Sequence, residues 1–229
     1  GAVNQETGVI EGISAIPYIH GFSWYETLAH HQLPVHLEND ANCVGLSELL
    51  AHPEIENAAC VVIGTGIGGA MIINGKIHRG RHGLGGEFGY MTTIEPAEKL
   101  NNWSQLASTG NMVRYVIEKS GQSDWDGRKV YQEAAAGNAL CQEAIERMNR
   151  NLAQGLLNIQ YLIDPDVISL GGSISQNPDF IKGVQKAVDT FVENYEEYTI
   201  APVIQACTYQ ADANLYGALV NWLQEENQW

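Results

Sequence analysis

The stretch Ala59-Cys60-Val61-Val62-Ile63-Gly64-Thr65-Gly66-Ile67-Gly68-Gly69-Ala70-Met71-Ile72-Ile73-Asn74-Gly75 decides the fold. Its first five residues are apolar, as in a strand buried on both faces. Gly64-Thr65-Gly66 breaks the run and residues 68–73 resume it as a second strand. Asn74-Gly75 is the dipeptide best suited to a two-residue hairpin turn, so residues 76–79 return antiparallel. Three adjacent strands therefore follow one another without a helix. Glycines in the first turn let the backbone approach a polyphosphate, and turn amides point donors at anionic oxygens. The Gly-Lys-Ser/Thr ending of a Walker A loop is absent, and a strand rather than a helix follows, which excludes a Rossmann fingerprint. A glycine-rich bend can also serve structure alone, so this turn needs partners elsewhere in the chain.

Working outward, residues 9–13 and 35–38 read as short strands and residues 22–31 as a helix ending before Pro34. Asn39-Asp40-Ala41-Asn42 then turns into a helix that runs to about Ala51, which puts Asp40 where a strand ends and a helix begins. Downstream, a glycine-rich loop from Gly80 to Gly89 leads to helical stretches at 108–119 and 130–136. Leu140, Ala144, Met148, Leu152, Leu156, Ile159 and Ile163 recur at three- and four-residue steps, the stripe of one long amphipathic helix ending at Asp164-Pro165. A buried strand at 167–170 opens into Gly171-Gly172-Ser173. A helix at 180–195, a strand at 203–207 and a last helix at 213–225, with Asp212 as its cap, complete the chain. Hairpin strands followed by alternating helix and strand predict an α/β fold with a mixed sheet.

Composition narrows the function. The 229 residues carry 12 Lys and Arg against 27 Asp and Glu, a formal net charge of -15. That balance argues against nucleic acid as a main partner, since counterion release needs clustered cations. No apolar run reaches the roughly 20 residues of a membrane helix. Cys43, Cys60, Cys141 and Cys207 are far apart, which suits reduced thiols in a cytoplasm rather than a disulfide framework. The opening Gly1 to Gly8 reads as the inside of a strand-turn-strand without an initiator Met, an expectation of further sequence upstream.

Three more groups carry chemistry. Asp40 at a helix start suits a plain cap; it also suits a base for phosphoryl transfer, which requires a carboxylate beside the attacking hydroxyl to orient it and take its proton. Asn39 beside it offers both a donor and an acceptor to a sugar hydroxyl. Glu87, in Gly85-Gly86-Glu87-Phe88-Gly89, reads either as a solvated loop residue or as an acceptor for two vicinal hydroxyls. Gly171-Gly172 after a buried strand permits close passage of the backbone over an adenine ring.

Glu38-Asn39-Asp40-Ala41-Asn42, Gly64-Thr65-Gly66-Ile67-Gly68-Gly69, Gly85-Gly86-Glu87-Phe88-Gly89 and Leu170-Gly171-Gly172-Ser173 together resemble, in order and spacing, the ROK family of sugar kinases and repressors. The resemblance implies a two-lobed, actin-like ATPase (ribonuclease H-like) fold with sugar and ATP meeting between the lobes. Residues 1–58 would be the remainder of the small lobe, with the C-terminal helix at 213–229 packed back on it, and 59–212 the large lobe. By the same likeness Asp40 is the catalytic base and Asn39 and Glu87 are sugar ligands. Gly64, Thr65 and Gly66 are the second phosphate element, and Gly171 and Gly172 the adenosine element. ATP with Mg2+ would be the phosphoryl donor, glucose, fructose or N-acetylmannosamine the acceptor, and a cytoplasmic homodimer the working unit. Residues 14–20 fall where the family has another sugar-contacting loop.

The chain departs from the family pattern in three places. Tyr90 stands where the family has a zinc-binding His, and residues 92–105 hold no Cys, so no structural zinc is expected. Ser104 falls where the family has another sugar-binding Glu, which leaves sugar selectivity open. The family's first phosphate element, Asp-x-Gly-Gly-Thr, has no counterpart, an expectation that the chain is a piece of a longer kinase. A sugar-sensing transcriptional regulator, whose DNA-binding part would lie outside this chain, is the alternative reading.

Overall fold

The computed structural model describes residues 2–12, 16–94 and 100–227. Residue 13, at the end of the first expected strand, residues 14–15 of the expected sugar-contacting loop, residues 95–99 of the cysteine-free segment, and residues 1, 228 and 229 lie outside the described residues.

Strands β1 (Ala2–Asn4) and β2 (Val9–Glu11) form a small antiparallel hairpin, followed by helix α1 (Trp24–Leu28) and helix α2 (Asp40–Ala51). The deciding stretch forms β3 (Ala58–Ile63), β4 (Ile67–Ile73) and β5 (Lys76–Ile77). Next come β6 (Thr92–Ile94) and β7 (Leu100–Asn102), a second small hairpin, then α3 (Trp103–Ala107), α4 (Thr109–Ser120), α5 (Gly127–Ala135) and α6 (Ala139–Ile163). Strand β8 (Val167–Gly171), helix α7 (Pro178–Asn194), strand β9 (Ile204–Ala206) and helix α8 (Ala213–Glu225) complete the order.

The central sheet runs β5-β4-β3-β8-β9. β3, β4 and β5 pair antiparallel, while β8 and β9 join β3 in parallel, so the sheet is mixed as the element order predicts. Asn74 and Gly75 both take positive φ, 52° and 69°, as a hairpin turn that matches strand twist requires. Side chains alternate across β3 and divide the core in two. Ala59, Val61 and Ile63 face a large cluster built with α3 to α7, including Trp103, Met148, Leu156 and Phe180. Ala58 and Cys60 face a smaller one with Val44, Ile72, Cys207 and Ala213, closed by α2 and α8. Every residue of α2 from Ala41 to Glu48 is buried, because the helix lies between the sheet and α8.

Four local expectations change. Residues 35–38 form no strand and pair with none of the described residues; Glu38 bonds to the helix start and to Arg79 instead. The helix expected over 22–31 is α1 followed by a 3-10 turn at Ala29–His31, which ends at Gln32 with φ 54°. The return strand stops at Ile77: His78 still donates to the Met71 carbonyl at 2.7 Å, then Gly80, at φ 69°, turns the chain away. Asp212 occupies the position before α8 but its side chain makes no capping bond, the helix growing instead out of a 3-10 turn at Gln210–Asp212.

Candidate active site

The site starts at the entry to α2. Asn39, not Asp40, is the cap: its side-chain oxygen accepts from the backbone N–H of Ala41 at 2.9 Å and of Asn42 at 3.1 Å. That leaves Asp40 as the first helical residue, exposed, with one oxygen taking the Ala41 N–H at 3.0 Å. Behind the turn, the Glu38 side chain is only 3% exposed. Its Oε1 accepts from the Asn39 N–H at 2.8 Å and from Asn42 Nδ2 at 2.9 Å, and its Oε2 accepts from Arg79 Nε at 2.7 Å. A buried carboxylate satisfied on both oxygens, one by a guanidinium, is a rigid fixture. It ties the α2 start to the segment after β5. The sequence reading missed Glu38 and Arg79; an acid and an Asn four residues apart across a helix start were the signal.

Asn39, Asp40, Gly64, Thr65, Gly66 and Glu87 all line one cleft of about 560 Å3. The turn between β3 and β4 is closed by the Gly64 N–H donating to the Gly66 carbonyl at 2.9 Å. The Gly110 N–H, in the first turn of α4, donates to the Gly64 carbonyl at 3.1 Å, and a side chain at Gly110 would press on the Thr65 backbone. The positive end of α4 thus abuts the turn, a setting that favours a bound anion. A Cβ on Gly64 would meet nothing within 4 Å, so the turn faces open space.

Glu87 enters the same cleft half-buried. Burial first, and then the Asp40 carboxylate, hold its carboxyl above the usual range. The loss of solvation makes this carboxylate a strong acceptor for hydroxyl donors. Ser104 also lines the cleft, but its hydroxyl is committed to the backbone: it accepts from the Ile67 N–H at 2.8 Å and donates to the Ile67 carbonyl at 3.2 Å.

Gly171 and Gly172 do not line this cleft. They end β8 beside the end of β3, Gly171 paired with Val62. At Gly172, φ is 88° and a Cβ would overlap the Ile63 carbonyl, so only glycine fits. The 3-10 turn Ser173–Gln176 follows directly and lines a second cavity, of about 650 Å3, with Thr109, Asp126, Arg128 and Asn177. Thr109 starts α4, the helix that abuts the glycine turn, so α4 connects the cleft with this cavity.

The family model described as ROK family matches residues 2–225. The chain belongs to the ROK family. Among ROK relatives, a beta-glucoside kinase of Listeria monocytogenes is 34% identical over 100% of this chain and 78% of its own. A ROK family protein from Streptococcus pneumoniae, whose crystal structure is in complex with sucrose, superposes with a TM-score of 0.95 at 89% identity, over 100% of this chain and 79% of that one. A ROK hexokinase from Thermus thermophilus superposes with a TM-score of 0.84 at 26% identity, over 99% of this chain and 78% of that one. The mixed sheet and its flanking helices are those of the ROK kinases, the actin-like ATPase fold.

Proposed function

We propose that the chain belongs to an ATP-dependent sugar kinase in which Asp40 is the base. The observation that carries this reading is the division of labour at α2: Asn39 caps the helix, and Asp40 stands exposed in the cleft that the Gly64–Gly66 turn also lines. The β- and γ-phosphates of ATP lie along Gly64, Thr65 and Gly66, and the adenosine passes Gly171 and Gly172 into the cavity beside Ser173–Gln176. Magnesium enters with the phosphates as their counterion. The sugar sits between Asn39 and Glu87 with a primary hydroxyl, the C6 hydroxyl of a hexose, against Asp40.

The hydroxyl oxygen bonds to the γ-phosphorus as the bond from that phosphorus to the β,γ-bridging oxygen breaks. ADP leaves with that electron pair, and the hydroxyl proton passes to Asp40 and then to water. In a loose transition state proton transfer is late, so Asp40 acts first by orienting the hydroxyl. Sugar kinase relatives at 30% to 34% identity support the reaction class. The acceptor is a hexose or amino sugar, free or as a glycoside, the last favoured by the named beta-glucoside kinases.

The test is ADP release, coupled to NADH oxidation, from the protein at its natural length with a panel of hexoses, amino sugars and glucosides. Turnover of at least one sugar is expected. Turnover of none, together with sugar-dependent DNA binding, would establish the regulator instead.

A further inference from the structure

Leu84 and Tyr90 are large apolar residues left exposed, at 55% and 63%, on the wall of the cleft. They flank Glu87 through linked turns: the Glu87 N–H donates to the Leu84 carbonyl at 3.2 Å, and the Tyr90 N–H to the Glu87 carbonyl at 3.1 Å. The first turn passes through Gly86 at φ 88° and the second is the 3-10 turn Phe88–Tyr90, and Leu84, Glu87 and Tyr90 all line the same cleft, with the carboxylate between the two apolar residues in sequence. The segment is held rigidly. Phe88 is buried in the core beneath it, and added side chains at Gly85, Gly86 and Gly89 would collide with the backbones of His78, Gly69 and Ile67. Nearby, the Ser104 hydroxyl gives its proton to the Ile67 carbonyl and accepts from the Ile67 N–H. Around Leu84 and Tyr90 the cleft wall therefore offers apolar surface on either side of the Glu87 carboxylate.

We propose that Leu84 and Tyr90 form a second-ring subsite, which selects a glycoside or disaccharide over a free hexose. The inference rests on the sugar kinase reading above and names its acceptor class. The ring to be phosphorylated engages Asn39, Asp40 and Glu87, and the glycosidic substituent lies on Tyr90 and Leu84. The axial C–H face of a pyranose, or an aryl aglycone, packs on an aromatic ring as other apolar groups do, while the tyrosine hydroxyl stays wet. A free hexose has no group to cover this surface. Because the segment is already fixed in place, ordering it adds little to the cost of binding.

The experiment compares kcat/KM for cellobiose and for glucose in the wild type, Tyr90→Phe, and the double variant Leu84→Ala with Tyr90→Ala, all in the protein at its natural length. The double variant is expected to lower the cellobiose-to-glucose ratio by about tenfold, mostly through KM, and Tyr90→Phe to keep it within about twofold. A ratio unchanged in the double variant overturns the subsite. Wild type that phosphorylates glucose but not cellobiose also overturns it and leaves the kinase reading standing; wild type that phosphorylates no sugar overturns both. The replaced side chains are exposed, so folding is preserved, and a circular dichroism melt checks it.

Discussion

Asp40 and Asn39 are adjacent, both suit a helix start, and the structure makes Asn39 the cap. Asn39 takes two backbone N–H groups, so the capping role that Asp40 taken alone best suited falls to its neighbour. Asp40→Asn keeps the shape and removes the base; kcat is expected to fall by about 10²- to 10⁴-fold with sugar KM little changed, read by steady-state kinetics. A near-normal kcat would make Asp40 a helix-start residue only. Glu87 carries a pH signature. Its raised pKa means that the empty fold disfavours the ionised form, so this group's stabilisation is present in acid and lost as pH rises through the shifted value. Sugar hydroxyls need the ionised form as acceptor. Sugar KM is therefore expected to rise as pH falls through Glu87's shifted range, above where an ordinary Glu titrates, and this rise is expected to disappear in Glu87→Gln. Asp40, Glu87 and the glycine turn each had a plain structural reading on their own, and became candidates because their motifs stand in the order and spacing of one family; the structure brings all three to one cleft. Glu38 and Arg79 were not, since their partnership spans 41 residues and exists only once β5 returns.

At the scale of elements, periodicity carried the long helices and the apolar runs carried the strands. Helix α6 was legible to within a residue because its stripe is regular and Pro165 follows its end. Residues 35–38 were read as a short strand, but a strand needs a ladder partner, and none of the described residues supplies one. Helix α2 hides its importance in the sequence: buried on every side, it has no polar face to mark it. Its position is set by close approach to α8, where Gly217 lies directly on the Cys43 backbone. A methyl group there has no room, since backbone rather than a flexible side chain stands in the way. Gly217→Ala is expected to destabilise the protein by about 1–3 kcal/mol in urea unfolding. Because Asp40 rides on α2, kcat should fall as well, while nucleotide affinity, which in the proposed reading rests on β3, β8 and α4, should hold.

Over the whole molecule, the cysteines sample both faces of the sheet. Cys60 and Cys207 lie in the cluster under α2 and α8, Cys141 lies in the cluster on the opposite face, and Cys43 sits within α2; all four are buried and reduced. Burial, reinforced by Glu38 and Asp40, pushes the Cys43 thiol up to about 12, and burial likewise raises Cys60 and Cys207. Thiolate is the reactive form, so labelling of these groups in the native fold is suppressed by both access and charge. A disulfide reagent at pH 8 is expected to find no fast thiol in the native protein and four in denaturant. Labelling of sites on both faces then requires the central sheet to open, and its rate reports that opening. The cleft and the cavity beside Ser173–Gln176 both lie where β3 and β8, interior strands of this same sheet, come to their ends, so ligands that bind only the folded form must slow the labelling. Sugar and nucleotide each at about 100 times their Kd are expected to slow it by roughly 100-fold apiece. Slowing by sugar alone, with nucleotide inert, would instead mean that the cavity beside Ser173–Gln176 does not take the nucleotide.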